Sequence, residues 1–304
     1  MDDLLESVNK HDFKFDRDFV LKTCLVLLGH GARYEVKKFR KEGVREEIVN
    51  KWEEIAKAIQ SVLDFVRGRT FIRSGKALPA YLVLIPLVYL RYHFPESWKK
   101  AKDVETYLLR CSLAGAFSGQ SDRLLDALVK KLAELKEFSA DEAFRVIASQ
   151  NRSLQLTEER LWQMGYGSDT IHLLFNLWYS FDYTPSYVNN LPEVDHIFPQ
   201  SLLPKRKYGD ADRNQLANCM LLTKEEDGPG GKGSKPPEEW FAEALADKHK
   251  GPDYLKKHLI PNDPAIWKLE RFEDFIEERK KLIREKFKFL LGPVAKQKDT
   301  VENK

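Results

Sequence analysis

Through the first 180 residues, apolar positions recur three and four apart, the spacing that gives a helix one buried stripe. The clearest run is Ile55, Ile59, Val62, Leu63 and Val66, which predicts a long helix with that face turned inward. Ser139-x-x-Glu142 predicts a helix start ahead of Phe144, Val146 and Ile147, because a serine hydroxyl there satisfies a backbone N–H that the helix cannot. The Lys130 to Lys136 region before it is amphipathic as well, and from Asp18 to about Ala116 the pattern is one of successive helices. No internal repeat and no sustained heptad is present, which removes solenoids and long coiled coils.

The pattern changes after Trp178, where Asp182-Tyr183-Thr184-Pro185 and Asn189-Asn190-Leu191-Pro192 gather turn formers, so a boundary is expected near 185. Two short strand-like runs follow, Val194 to Phe198 and Ala217 to Leu222, joined by a loop with Pro204 and Gly209. A glycine-rich turn leads to a predicted helix from Pro236 to about His249, with prolines at its start, where they are tolerated. A last amphipathic helix is predicted from Arg271 to Leu290, with Phe272, Phe275, Ile276, Ile283, Phe287 and Leu290 inward. Its Arg279, Lys280, Lys281 and Arg284 are expected on a solvated face, and the tail beyond Pro293 is expected to fray. The expected fold is mainly α: an irregular helical bundle over 1–185, an inserted strand-strand-helix module over 186–250, and a C-terminal helical segment over 251–304 packing back on the bundle.

Composition narrows the function only a little. The hydrophobic fraction, 42%, fills a real core, and 50 basic against 47 acidic residues leave a net charge of +3, no mark of nucleic-acid binding by itself. Cys24, Cys111 and Cys219 are far apart in sequence, which excludes a disulfide framework and a CxxC zinc site and suits a cytoplasmic protein. No export is expected from the acidic start MDDLLESV, and the apolar run Leu78 to Leu90, broken by Pro79 and Pro86, is too short to span a bilayer.

The candidate chemistry lies in the second half. Hydrolysis of a phosphodiester calls for a base to activate water, a cation to neutralise developing charge, and a group to hold the base. In Glu193-Val194-Asp195-His196-Ile197-Phe198-Pro199-Gln200, the imidazole of His196 titrates near neutral pH and is the expected base; the carboxylate of Asp195 suits a hard cation. Neighbours on a strand face opposite ways, so Asp195 and His196 are expected to serve different partners only where the strand ends or bends, and Pro199 is the expected stop. The second run brings Asn218 across from His196, where its amide either orients the imidazole or braces the loop. Asp227, in Lys224-Glu225-Glu226-Asp227-Gly228, is expected to close the metal site opposite Asp195. An oxygen-only shell favours Mg2+ or Mn2+ over zinc.

The strings VDHIFPQSLL and RNQLANCMLLTKEEDGPGGKGSKPPEEWF resemble an HNH (His-Me finger) nuclease of the ββα-metal class, similar to the target-strand-cutting domain of RNA-guided CRISPR nucleases. More closely they resemble the C-terminal nuclease region of GmrSD-like modification-dependent restriction endonucleases. FDRDFVLKTCLVLL, the helix around Trp52 and the Trp267 to Phe287 stretch with FEDFIEERKKLI extend that resemblance over nearly the whole chain. The resemblance implies a metal-dependent DNA endonuclease in bacterial defence, with Asp195 and the third motif position as metal ligands, His196 as base and Asn218 as the middle asparagine. The third position departs from the family, with Asp227 where asparagine is usual. Family members also carry an N-terminal nucleotide-binding domain with a DGQQR-like motif; this chain has no such motif, so an NTPase domain or subunit elsewhere is an expected partner besides DNA.

Lys205, Arg206 and Lys207 in the loop between the strands, with Lys232 and Lys235 after the glycines, are candidates for holding the nucleic-acid backbone. Gly230-Gly231-Lys232-Gly233-Ser234 is no phosphate loop, because Glu226 stands where its first glycine belongs and Gly233 where Ser or Thr must follow the lysine. His249 and His258 are expected to be ordinary histidines. The alternative function is a non-catalytic subunit that binds DNA or a partner through a decayed nuclease site.

Overall fold

The predicted stripe Ile55, Ile59, Val62, Leu63 and Val66 is buried throughout its length, on a helix that runs from Val44 to Arg69. The computed structural model describes residues 1–10, 13–179, 192–227, 230–247, 250 and 253–291, and only the backbone of Lys224 and Asp227. Before the first strand, the described helices are α1 (Asp2–Val8), α2 (Arg17–Leu27), α3 (Val44–Arg69), α4 (Ile85–His93) and α5 (Pro95–Lys99). They continue as α6 (Val104–Leu113), α7 (Asp122–Leu135), α8 (Ala140–Ser149), α9 (Glu158–Trp162) and α10 (Ile171–Tyr179). Side-chain caps fix several starts: Asp16 accepts from the Phe19 amide at 2.7 Å, Ser139 from Glu142 at 3.3 Å and Thr157 from Arg160 at 3.2 Å.

The second half of the apolar stretch Leu78 to Leu90 becomes α4, preceded by a 3-10 turn over Tyr81–Leu84 and entered through Pro86 in its first turn, and α4 packs against α2, α3, α5 and α7 at the centre of the bundle. No described helix is long and apolar enough to cross a membrane. The expected boundary near 185 and the tail beyond Pro293 fall outside the described residues.

Two short strands, β1 (Glu193–His196) and β2 (Cys219–Leu222), pair antiparallel with Asp195 opposite Met220 and His196 opposite Cys219. Both are shorter than predicted. Ala217 and Asn218 lie in a 3-10 turn ahead of β2, and the connection between the strands contains a short helix, α11 (Asp210–Asn214). After β2 come α12 (Lys224–Asp227), α13 (Pro237–Ala246), α14 (Asp253–Lys257) and α15 (Phe272–Phe287). The predicted helix after the glycines thus ends at Ala246, and His249 lies outside the described residues.

α15 carries the predicted inward face and uses it to bridge two regions. Phe272 and Phe275 meet Phe198, just past β1, at ring-centroid distances of 5.2 and 5.0 Å, while Phe287 meets Trp178 on α10 at 5.8 Å. One expectation for this helix is overturned. Arg279 is fully buried instead of solvated, because its guanidinium finds the backbone carbonyls of Ala217, Cys219, Leu259 and His258 at 2.8 to 3.2 Å. Burial lowers its pKa to about 10, still well above neutrality, so a charged fork locks β2 and the turn after α14 to α15. Lys280 and Lys281 do pair with acidic neighbours on their own helix, and Arg284 pairs with Glu158 of α9.

Candidate active site

His196 is the last residue of β1, and the strand ends there because the Asn218 side chain takes over from the ladder. Its Oδ1 accepts from the Phe198 amide at 2.9 Å, and its Nδ2 donates to the Phe198 carbonyl at 3.2 Å and the Arg213 carbonyl at 2.8 Å. Of the two roles open to Asn218, the geometry gives the brace: it pins the turn after His196 to the end of α11, and its three hydrogen bonds are to backbone atoms. Pro199 stands beyond a turn that Asn218 already holds.

His196 is 8% exposed. Its Nε2 lies 2.9 Å from Oδ1 of Asn214 on α11, and Gln200 Nε2 converges on the same oxygen. An amide oxygen only accepts, so Nε2 carries the proton and Nδ1 the lone pair; among the described residues nothing hydrogen-bonds Nδ1. The 3.2 Å approach of Gln200 Nε2 to His196 Nε2 then reads as two donors sharing one acceptor. Burial is the main force lowering the His196 pKa below its ordinary value. The Asn214 bond and Asp195 oppose it, and Lys232 and Arg213 add to it.

The ring of Tyr166 covers His196, with centroids 4.2 Å apart and planes 34° apart. It reaches there because the segment between α9 and α10 lies directly on α11: the Tyr166 amide donates to the Asn214 carbonyl at 2.7 Å, and a Cβ on Gly165 would sit 2.1 Å from that same oxygen. Only glycine fits at 165. Asn214, Gln200, Tyr166 and Gly165 were not singled out in the sequence, although Asn214 and Gln200 stand within the motif strings; Tyr166 and Gly165 come from a distant part of the chain with no local signal.

Asp195 faces the other side of the strand, as alternation requires, and there it meets Lys232. The ammonium lies 2.6 Å from Asp195 Oδ2, with the lysine side chain 1% exposed and the aspartate 27% exposed. Gly230 and Gly233, at φ +83° and +47°, turn the backbone on either side of Lys232, and its amide is held by the Glu226 carbonyl at 2.6 Å. Lys232, a candidate for gripping nucleic acid, is therefore buried against the site carboxylate. Lys235 pairs with Glu243 at 2.6 Å and Lys207 with Glu273 at 3.1 Å, while Lys205 and Arg206 stay exposed. Asp227 ends α12, whose start is fixed by reciprocal bonds between Thr223 and Glu226; the Asp227 side chain lies outside the described residues.

Among the described residues no group of three or more His, Cys, Asp or Glu side chains is arranged to hold an ion. The donor set fits a hard cation that takes one or two carboxylates and completes its shell with water and phosphate oxygens, since Asp195 keeps one oxygen clear of Lys232 and is partly open to solvent. His258, buried between Tyr179 and Tyr254 and hydrogen-bonded to the Tyr179 hydroxyl at 2.8 Å, is a core histidine.

No curated protein matches this chain. Residues 139–286, from the cap of α8 to the last turn of α15, match the family described as GmrSD restriction endonucleases, C-terminal domain.

Proposed function

We propose that the chain is a metal-dependent HNH endonuclease that hydrolyses DNA phosphodiester bonds in the restriction of foreign or modified DNA. The family description supplies the reaction class. What carries the reading onto residues is His196, buried, with Nε2 committed to Asn214 and a lowered pKa that keeps Nδ1 unprotonated at neutral pH. In this reading Nδ1 takes a proton from water as the water oxygen attacks phosphorus, and the bond from phosphorus to one deoxyribose oxygen breaks. Asp195, through the oxygen that Lys232 leaves, and Asp227 would hold Mg2+ or Mn2+, which supplies positive charge against the phosphate. Asn218 and Asn214 keep the strand end and the imidazole in place, and the exposed Lys205 and Arg206 are suited to the DNA backbone.

One observation favours a second reading, a non-catalytic subunit that binds DNA or a partner: the Lys232 ammonium already neutralises Asp195. Plasmid nicking by the purified chain with magnesium, manganese or EDTA, beside His196→Ala, separates the two. Metal-dependent cleavage that falls about 10²- to 10⁴-fold in the variant is expected of a lost general base. DNA binding with no cleavage under either metal would assign the second reading.

A further inference from the structure

The covering of His196 by Tyr166 has a second side. A tyrosine whose only task is to shield an imidazole need not be 46% exposed, yet Tyr166 is, and it also lines a cavity of about 360 Å³ between the bundle and β1. That volume is at the small end of ligand sites. Besides Tyr166, the wall includes Ser168, Asp169, His172, Lys76 and Glu193. Its charge is unsuited to a phosphate: the Lys76 ammonium is 3.0 Å from Glu193 and spoken for, while Asp169 is exposed and makes no ion pair among the described residues. A carboxylate beside an open aromatic ring suits an uncharged flat group with N–H donors on its edge.

We infer that Tyr166 and this cavity form a subsite for a nucleobase flanking the cleaved phosphate, stacked on the Tyr166 ring with an amino edge turned to Asp169. The inference rests on the proposal that His196 works on a nucleic-acid backbone. Tyr166 touches both His196 and the cavity, so a phosphate at the imidazole brings its neighbouring base within reach of the ring. Stacking on aromatic rings is how bases are held with little sequence demand, and an acidic partner adds preference for bases with an exocyclic amine. The same contact explains the fit of Gly165, which lets the Tyr166 segment lie against Asn214 and sets the ring next to the base that Asn214 orients.

The test uses the full chain in EDTA, with short DNAs carrying 2-aminopurine at successive positions, read by fluorescence as DNA is bound. One position is expected to respond with the wild type and with Tyr166→Phe, and to fall silent with Tyr166→Ala. In cleavage assays Tyr166→Ala should raise KM on the order of 10- to 100-fold, with Tyr166→Phe near the wild type. A merely structural tyrosine would shift the acid limb of the pH profile in Tyr166→Ala, by exposing His196, and leave the 2-aminopurine response in place. Cleavage that depends on His196 with no responding position would overturn the subsite alone. Absence of any DNA binding would overturn the subsite together with the proposed function.

Discussion

The helical bundle and the β1–β2 region bury different kinds of polar group. Up to Tyr179 the buried polar side chains among the described residues are Thr23, Thr70, Ser74, Ser112, Ser121 and Asn176; from Pro192 onward they are His196, Arg213, Asn218, Lys232, His258 and Arg279. In the bundle, hydroxyls such as Thr23, Thr70 and Ser121 turn back on carbonyls four residues earlier, of Phe19, Val66 and Phe117; Asn176, which donates to the distant Phe71 carbonyl at 2.7 Å, is the exception. In the second region, long or amide side chains reach across 20 to 62 residues of sequence to hold backbone, Asn218 to Phe198 and Arg279 to Ala217. Two four-residue strands bury too little apolar surface to stand alone, so their geometry is fixed by polar clamps that accept one arrangement.

Removal of the largest clamp is expected to have the largest effect. Arg279→Leu leaves four buried carbonyls without their donor and should cost about 3–5 kcal/mol, with hydrogen-exchange protection lost in β2 well before α3. Leu125→Ala, in the core of α7, should cost about 2–5 kcal/mol with the opposite pattern. If both variants lose protection everywhere together, the two regions are one cooperative unit and the distinction has no energetic meaning.

A smaller effect is expected from Asn218→Ala, which orphans the buried Phe198 amide at a cost of about 1–3 kcal/mol in urea unfolding. Because this releases the turn after His196, cleavage should drop in kcat more than in KM; an unchanged kcat would remove Asn218 from the site's support.

The gentlest probe is acid. His196 and His258 both have pKa values lowered chiefly by burial, so the folded chain keeps them neutral while the unfolded chain takes up protons below about pH 6.5. Stability is therefore full above about pH 6.5 and declines as pH falls toward the folded values, by at most about 1.4 kcal/mol per pH unit for each histidine. His258→Asn should flatten that slope in thermal unfolding followed against pH, and an equally steep slope in the variant would show that other groups carry it.

Much of the fold was legible because its signals are local. The α3 stripe, the Ser139 cap and the apolar face of α15 each depend on residues within a few turns of one another, and all three stand where periodicity and capping put them. The site was legible in part for the same reason: Asp195 and His196 adjoin, and the run containing Asn218 pairs with theirs. Arg279 was misread because a charged residue on an amphipathic helix is solvated unless buried acceptors await it, and the pairing of Lys232 with Asp195 has no local signal either. Those acceptors, the carbonyls of Ala217 and Cys219 and the Asp195 carboxylate, come from distant segments.

By itself, then, the sequence determined the helices, the strand pairing and the residue types able to do acid–base chemistry, since propensity, periodicity and motif spacing act along the chain. Only the tertiary structure decided which nitrogen of His196 is free, which oxygen of Asp195 is taken, and that Tyr166 lies over the imidazole. Those are consequences of burial, and burial depends on what the rest of the chain brings alongside.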